Sequence, residues 1–107
     1  MTKDPSKDNR IEALYAALTD LRDAAETRAF LFDLCTPQEI VAMAERWEIA
    51  RLLYAGKRSY REIAAQTGAS TATVSRVARF LKSGADGYRM MLDRSSGETP
   101  AQREKKQ

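Results

Sequence analysis

The run Tyr60 to Phe80, YREIAAQTGASTATVSRVARF, can be satisfied by few backbones. Gly68 stands between two segments whose apolar residues keep helical spacing. Ile63 and Ala64 lie one turn before it, and Val74 and Val77 one to two turns after it. A glycine there takes the positive φ that turns the chain sharply from one helix into the next. Ala64 is small enough for a second helix to cross close above it, and Ile63, Val74 and Val77 can fill the wedge between the two. Ser59 with Glu62 three residues on is a capping box, and Ser70 is a good N-cap for the second helix. The pattern predicts a helix-turn-helix over about residues 59–82. The outward face of its second helix has Thr71, Thr73, Ser75, Arg76 and Arg79 available to it, a polar set that suits base edges in a major groove. Ser70 also puts the positive end of the helix dipole beside any phosphate that docks there.

The charge distribution agrees. The whole chain carries a formal net charge of +3, but the sign is segregated. Residues 1–50 hold six basic and ten acidic side chains, a net of −4. Residues 51–83 hold Arg51, Lys57, Arg58, Arg61, Arg76, Arg79 and Lys82 against Glu62 alone, a net of +6. A basic block that coincides with a helix-turn-helix is the electrostatic footprint of a phosphate-binding surface, and double-stranded DNA is the expected partner. The alternative is a helical interaction module whose basic head binds an acidic protein.

The remaining segments are helical as well. Ile11, Leu14, Tyr15, Leu18 and Leu21 predict a first helix over about residues 8–21. Asp23 with Glu26, then Phe30, Leu31 and Leu34, predict a second over about 24–35. Thr36-Pro37-Gln38-Glu39 is a cap, a first-position proline and a capping-box glutamate, and opens a long helix that can run to Ala55 and stop at Gly56. A short last helix is expected around Tyr88, Met91 and Leu92. No alternating apolar run competes, so the expected fold is all-α with about six helices. Residues 1–94 are expected to form one domain, with a disordered tail from Ser95 to Gln107 that lacks an apolar face.

From Phe30 to about Arg94, roughly three-fifths of the chain, the sequence resembles the bacterial trp repressor family. The resemblance rests on L-x-T-P-x-E (Leu34, Thr36, Pro37, Glu39), on Arg46, and on L-L-x-x-G (Leu52, Leu53, Gly56). It continues through S-x-R-E (Ser59, Arg61, Glu62) and G-A-x-x-A-T-[IV]-[ST]-R (Gly68, Ala69, Ala72, Thr73, Val74, Ser75, Arg76). It is most like the small trp-repressor-like helix-turn-helix proteins of bacteria, the YerC/YecD type. The resemblance implies an intertwined all-α homodimer that projects two helix-turn-helix reading heads, and a sequence-specific transcriptional regulator, expected to repress. By position it implies that Arg61 contacts DNA from the first motif helix. It likewise implies that Thr71, Ala72 and Ser75 face bases from the start of the recognition helix. Arg79, one turn beyond Ser75, joins them on geometric grounds. Ala64 stands where the repressor has a lysine, which suggests a different operator.

The repressor holds tryptophan between its central and recognition helices, with the indole sandwiched by two arginines. Arg46 and Arg76 occupy those two positions here, and Thr73 also matches. Val77 and Phe80, however, replace a glycine and a serine of the repressor. Their bulk is expected to fill the effector pocket from within, with Phe80 able to supply the missing ring, so DNA binding is expected not to depend on tryptophan. No cofactor or metal is expected, and no effector is identified.

Catalysis is not expected. The chain has no histidine, and Cys35 is a lone thiol at an apolar helix end, where packing is the expected role. No glycine-rich phosphate loop appears, and the carboxylates are scattered over helix surfaces. Trp47, on the central helix, suits a core or a dimer interface better than a stacking platform. No membrane span is apparent, Met1 to Arg10 is polar, and a single cysteine leaves no internal disulfide. The expected location is the cytoplasm.

Overall fold

Each of the first five helices begins where a short polar side chain accepts from a free backbone N–H, and three of the six end where a glycine turns the chain. The computed structural model describes residues 8–95. It contains α1 (Asn9–Thr19), α2 (Ala24–Leu34), α3 (Pro37–Ala55), α4 (Tyr60–Thr67), α5 (Thr71–Ser83) and α6 (Gly87–Ser95). No strand occurs among the described residues, and the chain is all-α. Ser95 closes α6 rather than opening a tail; the rest of the expected tail, 96–107, lies outside the described residues. The fold divides into two compact units, Met1–Ile40 and Val41–Gln107, with the boundary inside α3.

In the first unit, the Asp8 carboxylate accepts from the Arg10 N–H at 2.8 Å and pairs with the Arg10 guanidinium at 2.9 Å. That pairing holds the Asp8 carboxyl below its ordinary range. α1 stops two residues short of its sequence-based limit. The Thr19 hydroxyl donates to the Ala16 carbonyl at 2.7 Å, and the Asp20 and Leu21 N–H groups fold back onto Ala17 and Leu18. This tightened last turn frees Asp23 to cap α2 by accepting from the Glu26 N–H at 2.9 Å. The Glu26 carboxylate reaches back to the Arg22 N–H at 3.0 Å. Neither α1 nor α2 buries a single side chain, and Phe32 is 74% exposed. Helices of 11 residues are too short to persist on propensity alone.

α3 opens with the expected box: Thr36 N–H donates to Glu39 at 2.8 Å, and Glu39 N–H donates to the Thr36 hydroxyl at 3.1 Å. It ends at Gly56, whose φ of 72° continues no right-handed helix.

The core belongs to the second unit. Ile49 and Ala50 from α3, Ile63 from α4, Val74 and Val77 from α5 and Leu92 from α6 are buried together. Leu52, Leu53, Ala64, Ala69 and Leu81 pack against them. Two polar links tie α6 in place. Arg89 donates to the Leu81 carbonyl at 3.3 Å, and the Tyr54 hydroxyl at the end of α3 donates to the Asp93 carboxylate.

Candidate nucleic-acid interface and the cavity behind it

α4 and α5 form the motif expected from the sequence. The Ser59 hydroxyl accepts from the Glu62 N–H at 3.1 Å, while Glu62 accepts from the Ser59 N–H at 2.8 Å. The Ser59 N–H first, and then the Ser59 hydroxyl, hold the Glu62 carboxyl below its ordinary range, with nearby Arg58 adding to the effect. Gly68 takes φ 82° and its N–H returns to the Ala64 carbonyl at 2.9 Å. Two residues later Ser70 caps α5 by accepting from the Thr73 N–H at 3.0 Å. The wedge is filled by Ile63, Val74 and Val77, all buried, with Ala64 half-buried beneath them. Both helix starts and the turn between them are therefore fixed by local hydrogen bonds and by one shared core. A reading head needs that rigidity, since bases are distinguished by side chains held in register.

Arg61, in the first turn of α4, is exposed, and so are Thr71, Ala72, Ser75 and Arg79 on α5. Thr71, Ser75 and Arg79 follow one another at intervals of four, so they form a single stripe along α5. The positive charge around them is not neutralised internally. Glu62 is the one acid between Arg51 and Ser83, and its carboxylate is engaged at the α4 cap. Among the described residues the ion pairs are Arg10 with Asp8 and Arg51 with Glu48, so of the basic block Arg51 alone is paired.

Behind this face lies a cavity of about 570 Å³, lined by Arg46, Trp47, Arg76, Val77, Phe80, Ala85, Gly87, Tyr88, Met90 and Met91. Its size is that of a small-molecule site, for which roughly 300–1,000 Å³ is usual. Four of the five residues expected around an effector pocket converge on it: Arg46, Arg76, Val77 and Phe80. Thr73 does not, because its hydroxyl is 3.0 Å from that of Ser70, in the cap of α5. The expected overfilling does not occur. Val77 points its bulk into the core, where it is 1% exposed. Phe80 stays at the wall, 48% exposed, with the guanidinium carbons of Arg76 and Arg79 at 5.7 and 6.0 Å from its ring centroid. The opposite wall comes from α3 and α6, where Trp47 and Tyr88 stack at 6.5 Å with ring planes 14° apart. The apolar residues of α6 signalled a helix in the sequence. That this helix returns to face Trp47 was not legible there, because it depends on the α5–α6 turn.

The sequence profile of the Trp repressor protein family matches residues 9–96. The chain belongs to the Trp repressor family. Among its relatives is the uncharacterized protein YerC of Bacillus subtilis, 44% identical over 94 residues that span 88% of this chain and 89% of YerC. A TrpR-like protein from Eubacterium eligens has a crystal structure that superposes with a TM-score of 0.80 at 40% identity, over 88% of this chain and 96% of the other. A candidate Trp repressor from Staphylococcus aureus superposes at 0.79 with 36% identity, over 92% and 98%. Membership in this Trp repressor family makes the α4–α5 unit that of a helix-turn-helix regulator. Among the described residues, no helix is long and apolar enough to cross a membrane.

Proposed function

We propose that the protein is a sequence-specific, double-stranded-DNA-binding transcriptional repressor that works as a homodimer in the cytoplasm. The observation that carries the reading is the exposed stripe Thr71, Ser75 and Arg79, with Ala72 and Arg61 alongside. It is presented by two capped helices in a basic segment that has almost no internal counter-charge. Arg61 binds the phosphate backbone, and the α5 residues read base edges. The dimer is supported by what α1 and α2 lack: with no buried side chain of their own, they need a second copy to cover Leu18, Phe32 and Leu34. DNA binding does not require tryptophan, because the ring over which the Arg76 guanidinium stacks is already supplied by Phe80.

Selection of bound duplexes from a random pool tests this reading. The enriched sequence is an inverted repeat whose half-sites lie about one helical turn apart, as two-fold symmetry requires. Sedimentation at micromolar concentration gives twice the 12.0 kDa chain mass. A pool without enrichment, or a 12.0 kDa species, contradicts it.

A further inference from the structure

The side chain of Phe80 is half exposed and is the one large apolar side chain that α5 turns outward. Two guanidinium groups share its ring, that of Arg76 one turn earlier and that of Arg79 next to it in sequence, at 5.7 and 6.0 Å. Neither arginine forms an ion pair among the described residues, where the paired cations are Arg10 and Arg51. Without a carboxylate to orient them, two long and rotamer-rich side chains have the Phe80 ring as their fixed neighbour. A guanidinium over an aromatic face is held by the ring quadrupole and keeps its N–H edge free to donate.

We propose that Phe80 is a positioning residue for DNA binding: its ring pre-orders the Arg79 guanidinium on the DNA-facing stripe and holds that of Arg76 at the cavity rim. This rests on the DNA-binding reading given above. The ring acts through Arg79 and makes no contact of its own with the duplex. Ordering the arginine before binding removes part of the entropy that docking would otherwise cost.

The test is a double-mutant cycle of Phe80→Leu and Arg79→Ala, read as affinity for the selected duplex. Phe80→Leu keeps an apolar side chain but removes the ring face, and lowers affinity roughly two- to fivefold, the range of an exposed cation–π contact. In the Arg79→Ala background the same change has no further effect, and Phe80→Tyr binds like the parent. Additive losses, or unchanged affinity in Phe80→Leu, overturn the proposal while leaving DNA binding itself standing. If the parent binds no duplex, the functional reading fails, and the positioning role is then judged in the free protein. There the δ-methylene protons of Arg79 resonate upfield through the ring current, and Phe80→Leu removes the shift. Unshifted protons in the parent overturn it.

Discussion

Trp47 on α3 and Tyr88 on α6 lie face to face, 6.5 Å apart and 14° from parallel, and together they close one side of the cavity. Trp47 is the chain's one tryptophan, so its emission reports on this wall alone. Replacing Tyr88 by Leu is expected to cost about 1 kcal/mol for the lost aromatic pair and to shift Trp47 emission to the red as water reaches the ring. Tyr88→Phe keeps the stack and should leave both unchanged. Fluorescence-detected urea unfolding of the two variants checks this.

Two glycines end the two helices of the motif for different reasons, and alanine tests them apart. Gly68 has open space where a Cβ would stand, but its φ of 82° belongs to the left-handed region. Alanine there is expected to cost about 1–2 kcal/mol through the backbone. Gly84 has an ordinary φ of −85°, yet a Cβ would lie 2.5 Å from the Phe80 carbonyl oxygen. That neighbour is helix backbone and cannot swing away, so alanine is expected to cost about 1–3 kcal/mol as overpacking. Asn, which tolerates positive φ, should largely rescue position 68 and not position 84. Chemical denaturation of the four variants gives the comparison.

The start of α4 is expected to weaken in acid. The Glu62 carboxyl is held below its ordinary range, first by the Ser59 N–H and then by the Ser59 hydroxyl. A group whose folded pKa is depressed stabilises the fold fully above its unfolded pKa. That stabilisation is lost as the pH falls through the folded value. Amide exchange in the first turn of α4 should therefore accelerate as the pH drops below the ordinary glutamate range, once corrected for intrinsic rates. Glu62→Gln should abolish the dependence.

Much of this site was legible in the sequence because it is locally encoded. The boxes Thr36–Glu39 and Ser59–Glu62, the turn at Gly68 and the wedge of Ile63, Val74 and Val77 involve neighbours close along the chain, and all stand as read. What failed was long-range. Whether Phe80 fills the space beside it depends on where α6 returns, and that is set by Gly84 and by Asp86 at φ 64°, which carry no hydrophobic signal. Thr73 failed for a second reason: a hydroxyl near an N-cap has a local partner available, and took it.

Tryptophan is expected neither to bind strongly nor to change operator affinity. The space remains, at about 570 Å³, but Phe80 already lies beneath the Arg76 guanidinium. Calorimetry with tryptophan should give no heat in the parent. A tenfold gain in operator affinity on adding it, about 1.4 kcal/mol of coupling, would show that Phe80 yields its place.

The most direct measurement compares Arg61→Ala, Thr71→Ala and Ser75→Ala with the parent on the selected duplex and on random duplex across a salt series. The parent's log affinity is expected to fall linearly and steeply with log salt. Arg61→Ala should weaken binding to both duplexes alike and shallow the slope by about 1. Thr71→Ala and Ser75→Ala should keep the slope and lose roughly 1–3 kcal/mol on the selected duplex alone. Equal losses on both duplexes for all three variants, or a parent affinity that does not respond to salt, would contradict a reading head built on α4 and α5.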